Sequence, residues 1–161
     1  MFNLIIDDQL IKQVLANAKT IAMVGVSSVK KEETSTIVRR RPSTIVMKYL
    51  QEFGYRVIPV NPFSEGKTIH GETTVAKLED ITVPVDIVDV FRPSKETPIL
   101  AKQAVKIKAK VLWLQFGIQN LKAQEIAKSA DITYIENRCI KQEYQRLFLK
   151  MRPVFPALLS N

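Results

Sequence analysis

Between Asp7 and Lys19 the apolar residues fall at Leu10, Ile11, Val14, Leu15 and Ala18, a spacing of three and four that predicts an amphipathic helix over the first 19 residues. From Thr20 the period changes. "TIAMVGV" (Thr20 to Val26) is a continuous apolar run, as expected of a strand covered on both faces. Runs of the same kind recur as "YRVIPV", "VDIVDVF", "KVLWLQF" and "ITYIE", so five strands are predicted. The stretches between them have room for crossover helices: Ser43 to Phe53 with Val46, Leu50 and Phe53 turned inward, Ser94 to Ile107, Asn120 to Ala130, and Cys139 to Leu149. Ser43 and Asn120 are the expected N-caps, and Gly54 the expected left-handed stop. Parallel neighbours need crossover connections, so this alternation predicts an α/β, doubly wound parallel sheet with helices on both faces.

Two stretches stand apart from the pattern. "SVKKEETSTIVRRR" (Ser28 to Arg41) is a charged insertion expected to form a surface loop, either bland or anion-gripping. The tail 150–161 is apolar with two prolines, and is expected to lie against the domain or a sister subunit.

At 161 residues the chain fits a single domain, 1–161, with a proper core. No apolar run is long enough for a bilayer. Asp7 and Asp8 interrupt the place where a signal peptide needs its apolar segment. One cysteine and one histidine are too few for a disulfide or a Cys/His zinc site, so a cytoplasmic protein without a metal is expected. The net charge of +8 favours an anionic partner, either nucleic acid or a phosphorylated small molecule.

In an open parallel sheet, ligands bind beyond the carboxyl ends of the strands. Those ends are "GVSS", "PVNPF", "VFRP", "QFG" and "ENRC". The first has one glycine where the dinucleotide fingerprint requires three. Asn61, between Pro59 and Pro62, stands where NAD enzymes carry an acid for the ribose hydroxyls. An NAD(P) protein is therefore disfavoured. An anion site remains at the start of the helix capped by Ser43, with Arg41 just outside it.

Taken together, "IAMVGVS", "RPSTIVMKYLQEFGYRVIPVNP", "VDIVDVFRPSKETP", "VLWLQFGIQN" and "ENRCIKQEYQRL", in this order from about Thr20 to Leu147, resemble the small stand-alone CoA-binding proteins of the succinyl-CoA synthetase α-subunit N-terminal type. The resemblance implies a Rossmann-like fold with strand order 3-2-1-4-5 that binds coenzyme A or an acyl-CoA across the strand ends. It implies that Gly25, Val26, Ser27 and Ser28 lie beside the pyrophosphate, with Lys30 and Ser43 adding charge and a helix N-terminus. Asn61 and Pro62 would line the adenosine side, and Lys67 would reach the ribose 3′-phosphate. Phe91, Arg92 and Pro93 would border nucleotide and pantetheine, while Gln115, Gly117, Asn137 and Arg138 would close the far side. The resembling proteins have a shorter loop in place of 28–41, so here the insertion either covers the site or blocks it.

The related synthetases use a histidine of a second domain for phosphoryl transfer. Nothing in this chain replaces it. His70, in the polar stretch "KTIHGE", has no evident partner and is read as a surface or loop-packing residue. Cys139 opens a helix beside Arg138, which would lower a thiol pKa and permit contact with the CoA thiol; the plainer reading is a small buried hydrophobe. Trp113, Phe116 and Tyr134 are expected in the core, and Asp89 is read as a structural hydrogen-bonding residue, with the orienting of loop backbone near the site as the other reading. The reading is a non-enzymatic CoA-binding module, a sensor or accessory subunit that can form homodimers. Its rivals are an NAD(P)-binding protein, an orphan acyl-CoA ligase subunit awaiting a partner chain, and a nucleic-acid binder using the insertion.

Overall fold

The computed structural model describes residues 6–27 and 42–151. The insertion 28–41 and the tail beyond Met151 lie outside the described residues, and so do the expectations placed on them.

Helix α1 (Asp8–Asn17) begins where Asp7 accepts a hydrogen bond from the Leu10 amide at 2.9 Å, and buries Ile11 and Leu15, one turn apart. Strand β1 (Thr20–Val24) follows, then α2 (Pro42–Glu52) and β2 (Arg56–Val60). A short antiparallel hairpin, β3 (Thr68–Ile69) and β4 (Glu72–Thr73), turns at His70 and Gly71, whose φ values of 46° and 83° are those of a tight primed turn. The chain continues through β5 (Ile87–Val90), α3 (Thr97–Lys106), β6 (Val111–Leu114), α4 (Leu121–Ser129), β7 (Thr133–Ile135) and α5 (Ile140–Phe148).

The five long strands form one parallel sheet in the order β2-β1-β5-β6-β7. The Rossmann-like α/β architecture is as expected, but the strand order is corrected. Counting only the five predicted strands, the order is 2-1-3-4-5, not 3-2-1-4-5. The segment after β2 leaves a single residue on that strand's outer edge, where Val75 makes a parallel bridge to Val60, and the chain then crosses to pair Ile87 with Ile21 on the free side of β1. Nothing between Val75 and Ile87 carries a helix of crossover length.

Strand alternation divides the core. Ile21, Met23, Ile87 and Trp113 pack under α1, α2 and α5, while Ala22, Val88, Val90, Leu112 and Leu114 face α3 and α4. The latter two helices offer Ala101, Ala104, Ala123 and Ala127 to the sheet, small residues that let the helix axes come close.

Local punctuation is mostly as predicted. Asn120 caps α4 by accepting from the Ala123 amide at 3.0 Å. Gly54, at φ 94°, ends α2 while Tyr55 N–H reaches back to Leu50 at 3.1 Å. Three expectations fail. Because α2 starts at Pro42, Ser43 lies within the first turn instead of capping it. Phe53 follows the end of α2 and is partly exposed, its ring packed at a tilt against Tyr49 and Tyr144. Phe116 is 57 % exposed because it stands just past the end of β6, whereas Trp113 and Tyr134 are buried as expected.

The amino edge of the sheet is tied by a residue given no such role by the sequence. Asp86 accepts from the backbone amides of Lys19 at 2.8 Å and Thr20 at 3.0 Å, with Lys110 at 3.4 Å. Burial works against its ionisation, but the two amides and Lys110 outweigh it and hold the carboxyl below its usual range. Asp86→Ala should destabilise the fold by ~1–2 kcal/mol, read from the urea midpoint, with the deficit of the variant shrinking as the wild-type carboxyl protonates in acid.

Candidate functional site

The chain leaves β1 toward α2 on one face and leaves β5 toward α3 on the other. A crevice must therefore open between these two strand ends. Gly25 lies in it, at φ 96°, with its amide donating to the Val60 carbonyl at 2.9 Å. A Cβ at this position would stand 2.7 Å from the Phe91 carbonyl oxygen and 2.9 Å from Cδ of Arg92. Glycine is required here by the neighbouring strand end itself, in addition to the left-handed backbone.

Asn61 secures the opposite wall. Its Oδ1 accepts from the Phe63 amide at 2.9 Å, and its Nδ2 donates to the Val26 carbonyl at 3.0 Å, so one buried side chain joins the ends of β1 and β2. The hairpin is drawn in by His70, whose Nε2 donates to the Thr44 carbonyl at 3.1 Å in the first turn of α2. That is the loop-packing role expected of it.

Two open cavities meet at Gly25, Asn61, Phe63 and Arg92. One, of about 490 Å³, lies between the end of β2 and α3 and has mainly apolar walls, including Val24, Val60, Ile99 and Leu100. The other, of about 570 Å³, lies over the start of α2 and has Ser27, Ser43, Ser64 and Lys67 around it. Phe63 stands at their junction with 84 % of its surface exposed. Arg92 donates from Nε and Nη2 to the two oxygens of Glu96, at 2.8 and 3.0 Å. This hydrogen-bonded pairing keeps the Glu96 carboxyl below its usual range.

Of the residues singled out in the sequence, the structure brings Gly25, Ser27, Ser43, Asn61, Pro62, Lys67, Phe91 and Arg92 to these cavities. Ser28, Lys30 and Arg41 lie outside the described residues. Val26 is buried and contributes its carbonyl to Asn61, and Pro93 leads into the turn before α3. Gly117, Asn137 and Arg138 form a separate corner at the ends of β6 and β7. There the Gly117 amide donates to the Asn137 side chain at 2.7 Å, and the Arg138 carbonyl accepts from the Trp113 indole at 2.8 Å.

Asp89 takes the structural hydrogen-bonding role expected of it and not the loop-orienting one: it is fully buried, and its Oδ1 accepts from the Gln115 side chain. Its Oδ2 has no hydrogen-bond partner among the described residues. The Cys139 thiol is pushed up by burial, with the nearby Asp89 charge adding to the effect, because the side chain packs against the core under α5. The helix start and Arg138 do not outweigh that burial.

The side of α3 facing the cavity was missed. Glu96, Ile99, Leu100 and Gln103 all line it. Their spacing of three, four and seven was legible as one helical face, but the sequence alone does not show that this face points at a cavity instead of the core. Among the described residues no group of three or more His, Cys, Asp or Glu is arranged to hold a metal ion. No described helix is long and apolar enough to cross a membrane.

Residues 19–145 match the CoA binding domain family, and the chain belongs to it. The Bacillus subtilis (strain 168) protein "Uncharacterized protein YneT" is 37% identical over 131 residues, covering 81% of this chain and 89% of that one. A solved Thermus thermophilus protein, "cell-free ID.343", is 38% identical with a TM-score of 0.77, over 89% of this chain and 100% of the other. A dinucleotide-forming acetyl-coenzyme A synthetase of Ca. Korarchaeum cryptofilum shares the fold alone. It is 20% identical with a TM-score of 0.60, over 78% of this chain and 27% of the synthetase.

Burial drives the Asp89 carboxyl up to about 7, against the hydrogen bond from Gln115 that favours its charged form. The folded state thus keeps a proton that the unfolded chain releases near 4, and stability is lost as pH rises from there to about 7. Asp89→Asn should remove this slope. The variant should be near wild type below about pH 4 and more stable than wild type at about pH 8, measured by chemical denaturation at both values.

Proposed function

We propose that the chain binds coenzyme A, or an acyl-CoA, in the two-part cleft at the carboxyl ends of β1, β2 and β5, and that it does so as a binding module without chemistry of its own. The observation that carries this reading is the juxtaposition of unlike cavities. One has apolar walls and the other is ringed by hydroxyls and Lys67, and the two meet at Arg92. A ligand that fills both must be uncharged at one end and anionic at the other. Coenzyme A has that make-up, and membership of the CoA binding domain family points to the same molecule.

Asn61 at the end of β2 supports CoA over NAD. A carboxylate there would bind free ribose hydroxyls and repel a 3′-phosphate, whereas the Asn61 amide is neutral and is occupied in joining two loops. Phe63 offers a flat exposed ring to a base. The binding-only reading is supported by the chemistry of the cleft walls. Among the described residues the charged groups of the cleft walls are Arg92, Lys67, Lys77 and one carboxylate already paired with Arg92, a set suited to holding an anion.

Calorimetric titration at fixed salt with CoA, dephospho-CoA and NAD tests the assignment. CoA should bind most tightly, and loss of the 3′-phosphate should weaken it by roughly tenfold. Lys67→Ala should reduce CoA affinity to about the dephospho-CoA level while leaving dephospho-CoA nearly unchanged. Equal losses for both ligands would remove Lys67 from the 3′-phosphate, and no CoA binding by wild type would overturn the function.

A further inference from the structure

We infer that Glu96 is a positioning residue of this cleft, holding Arg92 as a preformed anion clamp and deciding which end of the ligand enters which cavity. The inference rests on the proposed CoA reading for the ligand, but its geometry stands apart from it. The Arg92 side chain is fixed at two places. Its Cδ lies against the bare Cα of Gly25, where a Cβ would approach to 2.9 Å, and its Nε and Nη2 are bonded to Glu96 at 2.8 and 3.0 Å. Glycine at the end of β1 therefore makes room for an arginine from the neighbouring strand end, and the carboxylate one turn further on sets the rotation of its guanidinium.

A guanidinium has five N–H donors. Two are used on Glu96, which leaves the remaining edge for a ligand where the two cavities meet. An arginine held in this way surrenders little rotamer freedom on binding, which is how preorganisation gains affinity. Glu96 also works by its own charge. It lines the apolar cavity and not the polar one. A phosphate placed in the apolar cavity would face this carboxylate as well as Lys77, whereas the described lining of the polar cavity presents Arg92 with no carboxylate, so the diphosphate belongs on the side of Arg92 over the start of α2.

The sign of the effect separates this role from simple electrostatics. Removing a negative charge beside a polyanionic ligand should tighten binding if Glu96 is only a charge, and should weaken it if Glu96 positions Arg92. Wild type, Glu96→Gln, Arg92→Ala and the double variant are titrated with CoA by calorimetry, with thermal unfolding run alongside to confirm that all four are folded. Glu96→Gln should lose roughly tenfold in affinity, Arg92→Ala at least as much, and the double variant no more than Arg92→Ala alone. Unchanged or tighter binding by Glu96→Gln, or a full further loss on the Arg92→Ala background, overturns the inference. If wild type binds no CoA, it is the ligand assignment that fails. The same four proteins titrated with inorganic pyrophosphate then decide the clamp by the same pattern.

Discussion

The site is organised around one close crossing, the passage of the β5 end over Gly25. Because the strand order reverses about β1, the chains leaving β1 and β5 depart to opposite faces, and at their crossing the Gly25 backbone lies against the Phe91 carbonyl and the Arg92 stem. A side chain at residue 25 would push the strand ends apart by its own width. The Val60 hydrogen bond to Gly25, the Asn61 link to Val26 and the seating of Arg92 all depend on this crossing remaining tight. The single glycine at this position thus makes room for protein, the Phe91 carbonyl and the Arg92 stem.

The two carboxylates of β5 and its approach show how position divides one residue type. Asp86 stands at the amino edge, where the first amides of β1 and Lys110 satisfy it, and it remains charged while tying three strands together. Asp89 stands three residues later, under the packed core, where a single amide side chain is its partner and one oxygen has none among the described residues. Glu96, a turn beyond the strand, returns to the first pattern with a bidentate cationic partner. Along this segment, the depth of burial and the number of donors decide whether each acid ties strands together, resists ionisation or pairs with a neighbouring arginine.

The two cavities differ in character because they are built from different elements. The apolar cavity is formed where α3 packs on the sheet through alanines, which leaves the larger Ile99 and Leu100 beside the opening. The polar cavity is formed where α2 begins, so its wall contains the small hydroxyl residues of a helix start together with Lys67 from the approach to the hairpin. The two halves of the site therefore come from opposite faces of the sheet, and only a ligand that passes over the strand ends can touch both.

Much of the fold was legible along the chain, because continuous apolar runs and three-four spacing reflect burial that each segment needs wherever it is placed. The five strands, the helices between them, the Asn120 cap and the Gly54 stop all followed from such local requirements. Several site residues, Gly25, Asn61 and Arg92 among them, could be chosen because parallel strands place their carboxyl ends together. Strand order, the exposure of Phe116, the raised thiol of Cys139 and the cavity-facing side of α3 were not legible. Each depends on which non-local neighbour arrives, and one residue's period or charge does not specify that. The sequence by itself determined the elements and the ends at which chemistry gathers; only the tertiary structure decided that Arg92 would rest on Gly25, because that contact exists only once β1 and β5 lie side by side.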